Sequence, residues 1–267
     1  MPKDTNSRYK IRVLERAIRV LYALADGEPR NLTEIANEIQ LSNPTTFRLL
    51  ATLEQHRFVQ RDPSNGHYRL GTACLKLARA YLESIDVRQA AMPILEELRD
   101  HTQETIHLAV LDQMEVFYLE KLPGFHSIGL MSSSVGTYVP AYCTGLGKAL
   151  LAHVPEDEVR AYYTEHGLKQ LTSTTITDLD ALIACLKQVR EMGYAVDLGE
   201  REPEVYCVAA PIQGANGKVV AAISVSGPAY RMESDIKQGD LTRIVREAAR
   251  SISILLADRG GRITLPR

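Results

Sequence analysis

Apolar positions in the first seventy residues fall into three helical stripes, and a short alternating segment follows them. Leu14, Ala17, Ile18, Leu21 and Leu24 or Ala25 recur on one helix face, and Asp26-Gly27-Glu28-Pro29 closes that helix with a glycine and a proline. Asn31 with Glu34 three residues later reads as a capping box that opens a short second helix, with Leu32, Ile35, Ala36 and Ile39 as its buried stripe. In NPTTFRLLATLEQ, Asn43 is the expected N-cap and Pro44 the first helical residue, where a missing N–H costs nothing. Leu49, Leu50 and Leu53, joined by Phe47, form the apolar side of this third helix, while Thr45, Arg48, Thr52 and Gln55 share the other. Alone, such a polar face fits plain solvation as well as recognition.

The neighbouring residues change that balance. The second and third helices are joined by a short turn with Leu41 available to fill the space between them, the arrangement of a helix-turn-helix. Phe58–Arg61 and His67–Leu70 are strand-like runs around Asp62-Pro63-Ser64-Asn65-Gly66, whose Asn-Gly pair is a strong hairpin cue. This hairpin is a wing. Double-stranded DNA is therefore the expected partner, contacted by Asn43, Thr45, Thr46, Arg48 and Thr52 of the third helix and by Arg61, His67 and Arg69 of the wing.

Charge supports the same division. The whole chain carries a net −2, yet residues 1–71 hold 11 Lys plus Arg against 8 Asp plus Glu, leaving 20 against 25 for residues 72–267. Nine of the eleven front cations are arginines, the side chain suited to phosphate and guanine edges. Residues 72–85 read as a linker helix. From Asp86 onward, alternating strands at Thr105–Leu111 and Glu115–Lys121, helices at Pro155–His166 and Asp178–Met192, and a hairpin pairing Val205–Ile212 with Lys218–Val225 predict an α+β domain with an antiparallel sheet. One long helix from about Ser234 to Ala257 closes the pattern.

At 45% hydrophobic and 24% charged, with no run of about 18 apolar residues and no apolar leader, the chain reads as cytoplasmic rather than membrane-bound. The four cysteines, Cys74, Cys143, Cys185 and Cys207, form neither CxxC pairs nor His-containing metal spacings, so neither metal nor other cofactor is expected. Gly145-Leu146-Gly147-Lys148-Ala149 lacks the earlier glycine, replaced by Tyr142, and the hydroxyl residue after the lysine, so it is not a nucleotide-binding loop. Its glycines suit either an anion at a helix start or close helix–sheet packing.

Three stretches in order along the chain resemble the IclR family of bacterial transcription regulators. LTEIANEIQLSNPTTFRLLATLEQHRFVQRDPSNGHYRLG is similar to the family's winged helix-turn-helix, GTYVPAYCTGLGKALLAHVP to its central effector-domain motif, and EMGYAVDLGEREPEVYCVAAPIQGANGKVVAAISVSGPAYRM to its C-terminal signature. The resemblance implies a DNA-binding domain at 1–71, a linker at 72–85 and a GAF-like effector and oligomerisation domain at 86–267. It also implies an effector pocket lined by Gly145, Leu146, Asp197, Cys207, Ser224 and Ser226, a short carboxylic (keto or sugar) acid as effector, and a homodimer or dimer of dimers. The expected function is that of a repressor of a catabolic operon. Gln40 stands where a turn glycine is common, and Asn43-Pro44-Thr45-Thr46 departs from the usual start of the recognition helix, so the operator cannot be borrowed from relatives.

Two alternatives belong to other classes. One is a redox-responsive regulator acting through Cys143 and Cys207. The other is an enzyme with one of these thiols as nucleophile and His126 or His153 as base, although no local motif ties either thiol to a histidine. A non-enzymatic regulator is the expectation.

Overall fold

The structure, a computed structural model, describes residues 10–83, 85–125 and 131–258. The chain divides into two compact units, residues 1–82 and 83–267. The first contains α1 (Arg12–Tyr22), α2 (Leu32–Glu38), α3 (Asn43–Gln55), the hairpin β1 (Val59–Arg61) and β2 (Tyr68–Leu70), and most of α4 (Thr72–Glu83). Val20, Leu24, Ile35, Ile39, Leu49, Leu50, Val59 and Tyr68 make its core, with Leu41 packed against them between α2 and α3. The capping box forms as the sequence predicts: Asn31 Oδ1 accepts from the N–H groups of Thr33 and Glu34, and Glu34 Oε2 accepts from Asn31 N–H.

Three expectations for this unit are corrected. The N-cap of α3 is Ser42, and Asn43 is already helical, its side-chain amide lying 3.4 Å from Thr33 Oγ1. Phe47 is half exposed rather than part of the apolar stripe, while Thr46 takes the buried place. Leu14 and Ile18 are also exposed, because the buried side of the first helical segment is displaced toward Val20, Ala23 and Leu24. Periodicity identified a helix in each case; the facing elements chose which side it buries.

In the second unit a six-stranded antiparallel sheet has the order β5-β4-β3-β8-β7-β6, with β3 at Thr105–Asp112, β4 at Glu115–Leu122, β5 at Tyr138–Pro140, β6 at Ala195–Leu198, β7 at Val205–Gln213 and β8 at Val219–Pro228. α5 (Asp86–Thr102) and α10 (Asp240–Asp258) pack together and against the sheet. α6 (Gly145–Leu151) lies against β6, β7 and β8 and is backed by α8 (Leu179–Met192), on which α7 (Glu156–His166) rests. This is an α+β arrangement of helices packed on an antiparallel sheet, as the sequence predicts. The expected single C-terminal helix is two, α9 (Ala229–Gln238) and α10, because Gly239 at φ +85° ends α9 in the left-handed conformation. The short strands β5 and β6 were not predicted. Among the described residues no helix is long and apolar enough to cross a membrane.

Two details of packing position the site. Small residues lie under α6: a β-carbon on Gly147 would stand 2.1 Å from Ala141 O, and one on Gly145 would stand 3.4 Å from Ala209 Cβ. For Gly147, then, close packing is the physical reason for the glycine. A register shift at Leu108/Ala109 pairs His107 with Lys121 but Ala109 with Tyr118, so an extra residue of β4 is accommodated. Strict alternation would put Tyr118 and Lys121, three apart, on opposite faces; the bulge lets both approach the His107 face.

Candidate functional site

On α3, Asn43, Arg48 and Thr52 are exposed and Thr45 is half-buried. Thr45 Oγ1 lies 3.0 Å from Ser42 Oγ, and the Thr52 hydroxyl donates to Arg48 O at 3.0 Å. Thr46 is fully buried in the core, and its hydroxyl has no partner among the described residues. It cannot reach DNA without unpacking the unit, which corrects the sequence-based assignment. In the wing, Asp62 N–H donates to His67 O, Gly66 N–H donates to Asp62 O, and Gly66 adopts φ +75°. That turn leaves Arg61 and Arg69 exposed; the Arg61 guanidinium lies 5.6 Å from the Tyr68 ring centroid, which restrains it. His67 is half-buried, and its Nδ1 has no partner among the described residues.

The second site is a cavity between the sheet and the start of α6. Strand register makes it: Asp197, Cys207, Ser226 and Thr105 lie opposite one another across β6, β7, β8 and β3, and two residues along the strands Ser224 is opposite His107. Gly145, Leu146, Asp197, Cys207, Ser224 and Ser226, drawn from four elements, all line this cavity. So do His107, Tyr118, Ser133 and Arg201, which no motif in the sequence singled out. Its free space is about 40 Å³, above the minimum for a single water and far below the roughly 300–1,000 Å³ of a typical small-molecule site.

Hydrogen bonds run along the cavity floor. Ser226 Oγ and Ser224 Oγ are 3.4 Å apart, Ser224 Oγ is 3.4 Å from His107 Nδ1, and His107 Nε2 is 2.9 Å from Ser133 Oγ. Burial, aided by the positive charges of Lys121 and Arg201, pushes the His107 pKa down to about 3, so the imidazole is neutral. Lys121 donates to Ser133 O at 2.6 Å. Glu202 Oε1 accepts from both the N–H and the hydroxyl of Ser132, and Arg201 also donates to that hydroxyl. Arg201 is thus a fixed guanidinium on the cavity wall, the group of choice for a carboxylate.

Asp197 sits at the opposite end. Burial raises its carboxyl pKa to about 7, against the N–H of Glu200, which donates to Oδ1 at 2.8 Å. Behind it the Lys148 ammonium meets Glu200 Oε1, with both side chains under a tenth exposed. The lysine that superficially suggests a phosphate-binding loop is therefore spent inside the domain.

The sequence profile described as "Bacterial transcriptional regulator IclR C-terminal" matches residues 79–254, and that of the "IclR helix-turn-helix domain" matches residues 13–63. The chain belongs to the IclR family. It is a DNA-binding transcription regulator, and its helix-turn-helix is the DNA-binding part. IclR-family relatives include the HTH-type transcriptional repressor AllR of Escherichia coli K12, 35% identical over 246 residues, covering 91% of this chain and 89% of that one. A transcriptional regulator from Rhodococcus sp. RHA1 has a similar crystal structure, with TM-score 0.83 and 32% identity, covering 94% of this chain and all of the other. So does an IclR homolog from Microbacterium hydrocarbonoxydans complexed with 4-hydroxybenzoate, with TM-score 0.81 and 28% identity, covering 93% and 100%.

IclR-family proteins are regulators rather than enzymes, and the thiols here are placed accordingly. Burial pushes the Cys143 thiol up to about 12 and the Cys207 thiol up to about 11, the direction opposite to that of an activated nucleophile. His153 is exposed, and His126 lies outside the described residues. No group of three or more metal-ligating side chains occurs among the described residues.

Proposed function

We propose that this protein is a cytoplasmic, effector-responsive repressor in which a short carboxylic acid enters the cavity between α6 and the sheet and shifts the equilibrium between DNA-binding and DNA-releasing states. The observation that carries this reading is the convergence of Gly145, Leu146, Asp197, Cys207, Ser224 and Ser226, up to 81 positions apart in sequence, on one small cavity of mixed polar and apolar lining beside Arg201. Arg201 supplies the counter-charge, Ser224 and Ser226 the hydroxyls, and Asp197 a group able to accept a hydroxyl or offer its proton to a keto oxygen. The aromatic acid held by the Microbacterium homolog is consistent with a carboxylate. Repression is the sign carried by the name of the AllR relative.

The repressor is proposed to work as a homodimer or dimer of dimers, with residues 1–71 reading DNA, 72–85 linking and 86–267 binding effector and assembling. Ile11, Leu14, Ile18 and Tyr22 form an exposed apolar stripe along α1, and Leu75 and Leu77 are exposed on α4; a lone chain gains nothing from such surface. The test titrates a panel of keto, sugar and aromatic acids into a preformed complex of the full-length protein with its upstream DNA. A concentration-dependent, saturable change in DNA affinity with one acid class is expected. No response to any carboxylate, with intact DNA binding, would overturn the proposal.

A further inference from the structure

A second cleft in the effector domain shares no lining residue with the cavity beside α6. It has a volume of about 440 Å³, within the range of small-molecule sites, and four arginines border it: Arg190 from the last turn of α8, and Arg243, Arg246 and Arg250 from α10. Positions 243, 246 and 250 fall on one helix face. Glu247 is the one acidic residue among those lining the cleft, so the four arginines leave it at +3 with His153 neutral. That charge is concentrated on a portion of chain, residues 72–267, that carries 20 Lys plus Arg against 25 Asp plus Glu.

The arginines are not equivalent. Arg190 is fixed, its guanidinium donating to Ala152 O and Val154 O, and Arg243 is paired with Glu247 at 3.1 Å. Arg246 and Arg250 have no acidic partner among the described residues, although they stand four apart on one helix, where like charges cost stability. Gly193, at φ +73° and ending α8, lies under Arg246: a β-carbon there would be 3.7 Å from Nε. Ala210, Pro211 and Ala249 give the cleft apolar surface, and Gln213 and Ser253 add polar groups, Ser253 Oγ accepting from Gln213 N–H.

We infer that this cleft binds a phosphorylated small molecule, its phosphate groups held by Arg246 and Arg250 and its organic part lying on Ala210, Pro211 and Ala249. A guanidinium fork matches carboxylate and phosphate oxygens alike, but two guanidiniums without an acidic partner among the described residues match the double charge of a phosphate, and the cleft has about ten times the free space of the cavity at α6. Effector-responsive DNA release and phosphate binding would then be separable properties of one domain.

Isothermal titration of the full-length protein with inorganic pyrophosphate, at about 0.15 M salt where exposed charges are screened, tests this. Saturable binding of one pyrophosphate per chain is expected, weakened about tenfold or more in Arg246→Gln/Arg250→Gln. The same variant should keep the wild-type midpoint for acid-induced DNA release, while Ser226→Ala should leave pyrophosphate binding untouched. Both arginines are exposed, and the single Arg250→Gln variant provides a milder second reading of at least a few-fold loss. Absence of saturable binding, or equal binding in the double variant, overturns the inference. So does a double variant that changes the sedimenting assembly without changing pyrophosphate affinity, which would make the cleft a contact between copies.

Discussion

Gly145 lies so close to Cys207 that a β-carbon on it would stand 2.9 Å from the thiol sulfur. The start of α6 and the middle of β7 thus meet where only a glycine fits, and both residues line the cavity. Gly145→Val is expected to abolish the effector response while effector-free operator affinity stays near wild type, because a ligand shifts an equilibrium only through its own differential contacts. Gly145→Ala should impair the response less, and Cys207→Ala should partly restore it by removing the sulfur. Titrating acid against the protein–DNA complex for each variant checks the series. On the same assay Ser226→Ala should raise the midpoint about ten- to a hundredfold if its hydroxyl bonds a charged acid.

Lys148 and Glu200 form an ion pair inside the effector domain, and Glu200 Oε2 has no partner of its own among the described residues. Removing one partner strands a buried charge. Lys148→Met should therefore cost about 3–5 kcal/mol in denaturant unfolding, whereas Lys148→Met combined with Glu200→Leu should recover a large part of the loss. A double-variant loss equal to the sum of the Lys148→Met and Glu200→Leu losses would show that the two side chains do not interact energetically.

Burial raises the Asp197 carboxyl from its ordinary 3.8 to about 7, so the folded protein holds this proton more tightly than the unfolded chain does. The stabilisation from the protonated form is complete below about pH 4, declines as pH rises toward about 7, and is lost above that. Asp197→Asn keeps an oxygen to accept the Glu200 N–H but cannot ionise. The variant should melt higher than wild type at pH 8 and match it at pH 4, and thermal melts across that range would expose the opposite trend.

Thr46 and Arg48 are two residues apart and are expected to behave oppositely. Thr46→Val replaces a buried, unpartnered hydroxyl by a methyl and should leave operator affinity unchanged while stabilising the fold by about 1 kcal/mol. Arg48→Ala should weaken operator binding by about 1–3 kcal/mol and relax specificity at one base pair, while Arg69→Ala should weaken all sequences alike and flatten the salt dependence. Binding measured on operator, point-mutated operator and random DNA at several salt concentrations separates the two roles.

The exposed stripe on α1 offers a test of assembly. Ile18→Glu places a charge in its middle and should shift sedimentation toward smaller species and weaken operator binding, because two half-sites would no longer be engaged together. An unchanged sedimentation profile would show that α1 takes no part in the proposed assembly.

Local chemistry was enough to make the DNA-binding unit legible. Asn31 and Glu34 cap α2, Pro44 lies within one residue of the observed start of α3, and the Asn65-Gly66 turn sets the wing, since each of these preferences acts over three or four residues. Which face of α3 is buried was decided by packing: Thr46 and Phe47 exchange their expected places because the core, not hydrophobicity alone, has a volume to fill. In the effector domain the motif residues Gly145, Asp197, Cys207, Ser224 and Ser226 could be named from the chain, but what joins them is strand register across β6, β7 and β8, a long-range property. His107, Tyr118 and Arg201 were invisible for the same reason. A histidine in a strand, a tyrosine displaced by a bulge and an arginine among glutamates carry no local signal, and they become parts of one cavity only when β3, β4 and the loop after β6 meet there.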